Sequence, residues 1–535
     1  MEGKTVGRSF LILSIASMLI KILSAIYMPF LQGILGWEGY GIYSVSYTWF
    51  IFIFAITTMG AQPAVTKVVT ELRTLGYKKE ALRAMKLARK YLLIIGIVFT
   101  GLFILLADVI AGLSKTPDAA LGIRFLAPTI VITAVLASYR GYIQSIEEMQ
   151  TLAISQIIEQ MVNVILSLVF AFLLMQMSTV WGSAGGTIGT SIGALVALVY
   201  IYYTYDKKEY ELEAINAKDK NNKITDKRIL KKILMYGLPI TMVAGMQNAG
   251  GVIDSINVQS RLLYAGFPES EVLTMFGILN SYNTLLYVPL ALVTALSTAI
   301  FPKIIRAFTE KNKKDLREHL KYSFKLTYLI VIPAAFGLSL LSKEIYIMLF
   351  GGPEGYQLLK YGSIVLVFMS IAAIQNTILQ GINKLYLVVK TAGIGILVKF
   401  IINYILIGIK SINILGAVVA STFAFLIPAI INHKRLEKSF RIKIPIIREG
   451  LKPLIASFAM GIVITIMNIP LSRFVNILEG GRIIVGLTVL ILVGIGGLTY
   501  FITMIYIKGI KKEDIDTISP KIYKLIPRVL RKVMD

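Results

Sequence analysis

The chain has 535 residues, 56% of them hydrophobic, and a formal net charge of +25. Soluble domains hold only about 45–50% apolar residues, so a water-soluble globular protein is excluded. With no cysteine, the sequence also excludes disulfides, iron–sulfur clusters and thiolate metal sites. Its two histidines, His319 and His433, fall in expected cytoplasmic loops and argue against a histidine-based catalytic or zinc centre.

Apolar runs of about 20 residues read as transmembrane helices. Fourteen are expected, centred near residues 20, 51, 101, 132, 163, 192, 243, 287, 334, 368, 398, 422, 460 and 494. The first, from Ser9 to Phe30, follows a short basic start without a small-residue cleavage site and reads as a retained span. Lys21 stands at its middle, where an unpaired charge costs roughly 2.5–3.5 kcal/mol and therefore faces a bundle interior or a wet cavity. Ser14, Ser17, Lys21 and Ser24 recur at helical steps as one stripe. Tyr40, Tyr43 and Tyr47 open the second span on one side and read as an interfacial aromatic belt.

Arg140 lies toward the inner end of the fourth span, as a cavity residue or as an anchor. In the fifth, Ser155, Glu159, Asn163 and Ser167 repeat every four residues. The seventh carries Gln247, Asn248 and Asp254 among three glycines, a composition suited to close packing or a bend. The eighth offers Asn283, the tenth Gln375 and the eleventh Lys399 with Asn403. Lone polar groups of this kind commonly join helices, each contributing about 0.6–2 kcal/mol. The last two spans, after Lys452, hold few polar residues and read as peripheral.

Basic residues cluster in alternate loops: Lys67 to Lys90, Lys207 to Lys232, Lys303 to Lys325, Lys434 to Lys452, and the tail after Lys508. The intervening loops carry only Lys115, Arg261, Lys343, Lys410 and Arg473. By the positive-inside rule both termini are expected in the cytoplasm. The basic loops then meet anionic membrane lipids, and nucleic acid is not an expected partner.

A shift of 236 residues lays Gly41 on Gly277, Thr48 on Thr284, Lys67 on Lys303, Gly101 on Gly337, Pro117 on Pro353 and Gln144 on Gln380. The expected fold is therefore an all-α integral membrane protein with two parallel six-helix lobes, residues 1–205 and 230–435. They are joined by a cytoplasmic linker, 206–229, and followed by two further helices, 436–507, and a basic tail, 508–535. A parallel repeat places the substrate between the lobes.

No GxxxxGK[ST] loop is present, which leaves a gradient-driven or downhill carrier. Lys21, Arg140 and Lys399 suit an anionic head such as a phosphate or pyrophosphate. Asn163, Gln247, Asn248, Asn283 and Gln375 are candidate polar contacts for it. Glu159 and Asp254 are candidates to pair with the bases, bind sodium or relay protons. A cation exporter would need an acidic cavity instead. An enzyme would need larger outer loops than these, the longest running from Asn257 to Thr274. A scaffold would leave the polar stripes without a role.

Three stretches carry a family resemblance: LILSIASMLIKILSAIYMPF (11–30), GWEGYGIYS (36–44) and YRGYIQSIEEMQTLAISQIIEQMVN (139–163). With them the chain resembles the multidrug/oligosaccharidyl-lipid/polysaccharide exporter superfamily, and within it the stage V sporulation protein B and lipid II flippase branch. The resemblance implies a flippase that moves a polyprenyl-(pyro)phosphate-linked glycan from the inner to the outer leaflet by alternating access. The protein is expected to be a monomer in the bacterial cytoplasmic membrane without a cofactor, with coupling to sodium, protons or the membrane potential left open. In that branch first-span basic residues line the cavity. Lys21 matches one, Tyr27 stands where a second is expected, and Thr284 stands in place of an eighth-span arginine. These departures leave the cargo open between lipid II and a related undecaprenyl-linked glycan. The alternative is a sodium- or proton-coupled multidrug cation exporter.

Overall fold

The computed structural model describes residues 2–216, 224–477, 481–510, 512 and 531. For residues 2–18, 21, 25, 296, 298, 299 and 473–477 it describes the backbone alone. Among the described residues the regular structure is helical throughout. The order is α1 (Glu2–Thr57), α2 (Ala61–Thr74), α3 (Lys78–Leu105), α4 (Ala107–Leu113), α5 (Ala119–Ser145), α6 (Met149–Met175), α7 (Thr179–Lys207), α8 (Tyr210–Asn216) and α9 (Asp226–Tyr264). There follow α10 (Glu269–Thr309), α11 (Lys313–Leu340), α12 (Ser342–Phe350), α13 (Tyr356–Gly362), α14 (Val365–Gly381), α15 (Leu385–Leu406), α16 (Leu415–Phe440), α17 (Ile446–Ile477) and α18 (Arg482–Tyr506).

Twelve of the described helices are long and apolar enough to cross a membrane, or thirteen if α13 and α14, bent by 57°, form one span. The remaining difference from fourteen lies in α1. Two expected spans there form one element kinked at Gly36, whose φ of 67° is a left-handed conformation that only glycine adopts without strain.

The chain divides into two compact units, one of Met1–Thr284 with Lys384–Ala420, the other of Leu285–Asn383 with Ser421–Asp535. Within the first, the arm of α1 before Gly36 runs parallel to α6, with Ser24 on Gln160 and Tyr27 within hydrogen-bond reach of Ser167. α9 likewise runs parallel to α15, Asp254 meeting Lys399 and Arg261 meeting Tyr404. Within the second unit α11 and α17 are parallel, with Tyr328 beside Gly450 and Phe336 on Phe458. Each pair joins two odd-numbered expected spans, which is the parity that the span order demands.

The repeat persists in the element bounds. Ser145 and Gly381 close α5 and α14, 236 residues apart, and Met149 and Leu385 open α6 and α15 at the same interval. In the first unit the repeat-related Gly41 and Gly277 touch: a Cβ built on Gly277 would stand 3.4 Å from the Gly41 Cα. Two related helices that cross at their own related glycines do so self against self.

Glycine also sets the approach of α7 to α6. A Cβ at Gly185 would lie 2.5 Å from the Phe170 carbonyl oxygen, at Gly189 2.4 Å from that of Asn163, and at Gly193 2.6 Å from that of Glu159. Small residues at such intervals let membrane helices pack backbone to backbone. Gly189→Ala should therefore destabilise the protein by about 1–3 kcal/mol, as overpacking does. Gly101→Ala, where a Cβ meets nothing within 4 Å, should be neutral or slightly stabilising. Thermal melting in detergent checks both, and equal midpoints for the two variants would contradict the packing argument.

Candidate functional site

Two of the expected intramembrane cations are joined to the two expected carboxylates, all in the first unit. Arg140 on α5 donates from Nη2 to Glu159 Oε2 at 2.6 Å and from Nε to Ser155 Oγ at 3.1 Å, both acceptors on α6. The every-fourth-residue stripe of α6 thus turns Ser155 and Glu159 toward one guanidinium. Lys399 on α15 donates to Asp254 Oδ2 on α9 at 2.5 Å, and Asn403 Nδ2 donates to Asp254 Oδ1 at 2.8 Å. Asp254 and Lys399 are only 4% and 9% exposed, a burial that charged groups tolerate when paired. A Cβ built on Gly250 would stand 3.8 Å from Lys399 Nζ, an ordinary van der Waals contact.

The other candidate residues are placed more diversely. Asn163 is half-buried, and its Oδ1 accepts from Ser167 Oγ at 3.0 Å and Thr190 Oγ1 at 3.2 Å. Asn248 turns back to the Ala244 carbonyl, Gln247 is exposed and Asn283 is half-buried. Gln375 lies in the second unit, fully buried, with neither side-chain polar atom bonded among the described residues. The side chain of Lys21 lies outside the described residues. Its backbone is helical, one turn before Ser24, which accepts from Gln160 Nε2 at 3.1 Å.

Three features depart from the sequence reading. Tyr40 and Tyr43 are buried and not an interfacial belt. With Tyr47, Phe50 and Phe54 they form a ladder of rings at centroid spacings of 5.5–5.9 Å along the second arm of α1. Helical steps that align aromatics for a belt align them equally for an interior stack, and burial decides between the two. Arg261, read as an isolated loop charge, lies between the rings of Tyr264 and Tyr404, 4.1 and 4.2 Å from their centroids. The seven-residue step from Asp254 to Arg261 was the available signal, since it returns to the same face. Finally, α17 carries a polar contact to α12, Asn468 Nδ2 donating to Glu344 Oε1 at 2.7 Å.

A second polar chain stands beside Asp254. Trp49 Nε1 donates to Ser114 Oγ at 2.8 Å, Ser114 and Ser255 share a 2.7 Å hydrogen bond, and Thr116 bonds Gln259. It ties the second arm of α1 and the loop after α4 to the charged stretch of α9.

A family model for the polysaccharide biosynthesis protein matches residues 6–308, more than half of the chain. The chain belongs to this family. A second model, MatE, matches residues 252–405. The lipid II flippase MurJ of Bacillus subtilis is 25% identical over 522 residues, covering 94% of this chain and 95% of the relative. The stage V sporulation protein B of the same organism is 24% identical and covers 99% of this chain and 100% of its own length. Among solved structures, lipid II flippase MurJ in an inward closed conformation superposes with a TM-score of 0.67 at 18% identity, covering 92% of this chain and 98% of that one. An inward-facing multidrug resistance MATE family transporter gives the same TM-score at 15% identity, with 80% and 98% coverage. The resemblance to the multidrug/oligosaccharidyl-lipid/polysaccharide exporter superfamily is borne out, and with it the all-helical fold.

The buried pair of this family member is open to a direct test. Lys399→Met alone leaves Asp254 as an uncompensated buried charge and should cost about 3–5 kcal/mol. Lys399→Met combined with Asp254→Leu should recover most of that loss, because an apolar pair replaces the ionic one. Melting of the two single variants and the double in detergent measures the coupling; additive losses would show that the two groups act independently.

Proposed function

We propose that this protein is a flippase that carries a polyprenyl-(pyro)phosphate-linked glycan from the inner to the outer leaflet, working as a transporter and not as an enzyme. The observation that supports it most is the full-length relationship to a lipid II flippase and to the stage V sporulation protein B, each matched over more than nine-tenths of this chain. In this reading the lipid tail stays in the bilayer while the anionic head crosses through the helical bundle, the lobes rocking about it. Both termini face the cytoplasm, as the loop charges require.

The charges fit this cargo. Glu159 neutralises Arg140 and Asp254 neutralises Lys399, so these two pairs add no net charge to the empty carrier. Lys21 stands on the stripe of α1 that includes Ser24 and Gln160's contact; in our reading it supplies the charge-assisted bond to a phosphate oxygen. Asn163, Gln247, Asn248 and Asn283 of the first unit are the groups that bind sugar or phosphate oxygens in this reading. Energy comes from a sodium or proton gradient or from the membrane potential.

A second reading is favoured by the MatE match over residues 252–405, a coupled exporter of organic cations. The two are separated by one set of measurements. Purified chain in liposomes should translocate a fluorescent undecaprenyl-pyrophosphate-linked glycan, and should restore growth to a bacterium depleted of its own lipid II flippase. Lys21→Ala should slow transport roughly tenfold to a hundredfold, the loss of one charge-assisted hydrogen bond, while Lys21→Arg keeps most of the rate. Undiminished transport by Lys21→Ala at equal membrane abundance would remove the phosphate role. Resistance to cationic drugs without glycan transport would establish the exporter instead.

A further inference from the structure

In the second unit, α11 and α17 run parallel, which brings both of their N-terminal ends to the same level. Tyr328 lies beside Gly450, Phe336 packs on Phe458 with ring centroids 5.0 Å apart, and Leu340 reaches Gly461. Each N-terminus carries the positive end of a helix dipole. To the usual first-turn carboxylates, Asp315 and Glu449, the sequence adds a larger number of cations at this edge. Between the two ends is a cleft of about 570 Å³ lined by Lys313, Lys314, Arg317 and Lys321 from α11 and by Arg448 from α17.

Five cations face two carboxylates in this cleft, Glu318 and Glu449. Glu449 lies 3.7 Å from Lys321. Lys313, Lys314, Arg317 and Arg448 form no ion pair among the described residues, and their side chains are exposed. Like charges gathered at two dipole ends repel one another unless an anion stands between them. A volume of this size is in the range of small-ligand sites, about 300–1,000 Å³. The guanidinium forks of Arg317 and Arg448 match phosphate oxygens, with the lysines as point charges around them.

The surroundings indicate where that phosphate comes from. Directly beyond Arg448, α17 exposes Leu451, Leu454, Ile455 and Phe458, an apolar face at helical steps that begins one turn from the cleft. Beneath it, α11 passes into its membrane-spanning stretch. A molecule with an anionic head and apolar chains fits both parts at once, the head among the cations and the chains along α17. We propose that this cleft is a binding site for the phosphate head of an anionic phospholipid, separate from the cargo path and joining the ends of α11 and α17.

The test uses the full chain in a zwitterionic detergent and follows its melting as a short-chain phosphatidylglycerol is added. Inorganic phosphate and a short-chain phosphatidylcholine run in parallel. The expected result is a saturable rise in melting temperature with phosphatidylglycerol alone. In the triple variant Lys314→Gln, Arg317→Gln, Arg448→Gln the apparent affinity should fall roughly a hundredfold, the sum of three basic contacts at a membrane surface. A control triple, Lys434→Gln, Arg435→Gln, Lys438→Gln, removes the same charge from exposed positions outside the cleft and should keep the parent's affinity. Equal loss in both triples would overturn the proposal in favour of a diffuse basic surface. An equal response to inorganic phosphate would overturn the lipid assignment, and no response to phosphatidylglycerol in the parent would overturn the site.

Discussion

A bilayer offers no water to a charged side chain, so every buried charge must find its counter-charge within the protein. That constraint sets the arrangement of the first unit. Asp254 and Lys399 lie 145 residues apart in the chain yet meet at 2.5 Å, and Arg140 reaches Glu159 across the short connection from α5 to α6. Neither pair is a large source of stability, since desolvating two ions consumes most of what their attraction returns. Their physical consequence is register. If α15 slid by one turn along α9, both ions would be stranded, whereas an all-apolar seam would accept the slip. Asn257, donating to the Phe400 carbonyl at 3.1 Å one turn further along, reinforces the same alignment.

The repeat shows how such sites are differentiated on one scaffold. Asn163 of α6 and Lys399 of α15 are 236 residues apart, as are Ser167 and Asn403. In α6 the position holds an amide bonded to two hydroxyls, Ser167 and Thr190. In α15 it holds an ammonium bonded to a carboxylate. The backbone geometry recurs while the electrostatics do not. At this repeat-related position one helix thus presents neutral hydrogen-bonding groups and the other an ion pair.

Much of the architecture is legible in the residues because the membrane reduces the problem to a few variables. Length of apolar runs, loop charge and the positions of glycine give the helices and their order, and the repeat spacing read from Gly41 and Gly277 returns as a physical contact. The candidate site is less legible. Helical periodicity placed Glu159 and Ser155 on one face but could not say that Arg140 closes on them. It placed Asp254 and Lys399 on separate helices without saying that they meet. Tyr40 and Tyr43 depart from the expected belt because an amphipathic ring suits a headgroup layer and a stacked interior equally well. Which environment a residue occupies depends on the neighbouring helix, and neighbours distant in sequence are what periodicity does not encode.

The pairing of the carboxylates also bears on the choice of cargo. A cation exporter needs at least one carboxylate free to receive the cation, or one that can be released at small cost. Here Asp254 already accepts from Lys399 and Asn403, and Glu159 accepts from Arg140. Freeing either strands a buried ammonium or guanidinium, a loss of several kcal/mol, which an organic cation must recover while adding a like charge beside the one it displaces. An anionic head faces the opposite balance. It competes with the carboxylate for the same cation, and the released carboxylate is the group that a proton or sodium ion can then neutralise. Pairing of both carboxylates is thus compatible with the anionic cargo proposed above and is an obstacle to a cation cargo.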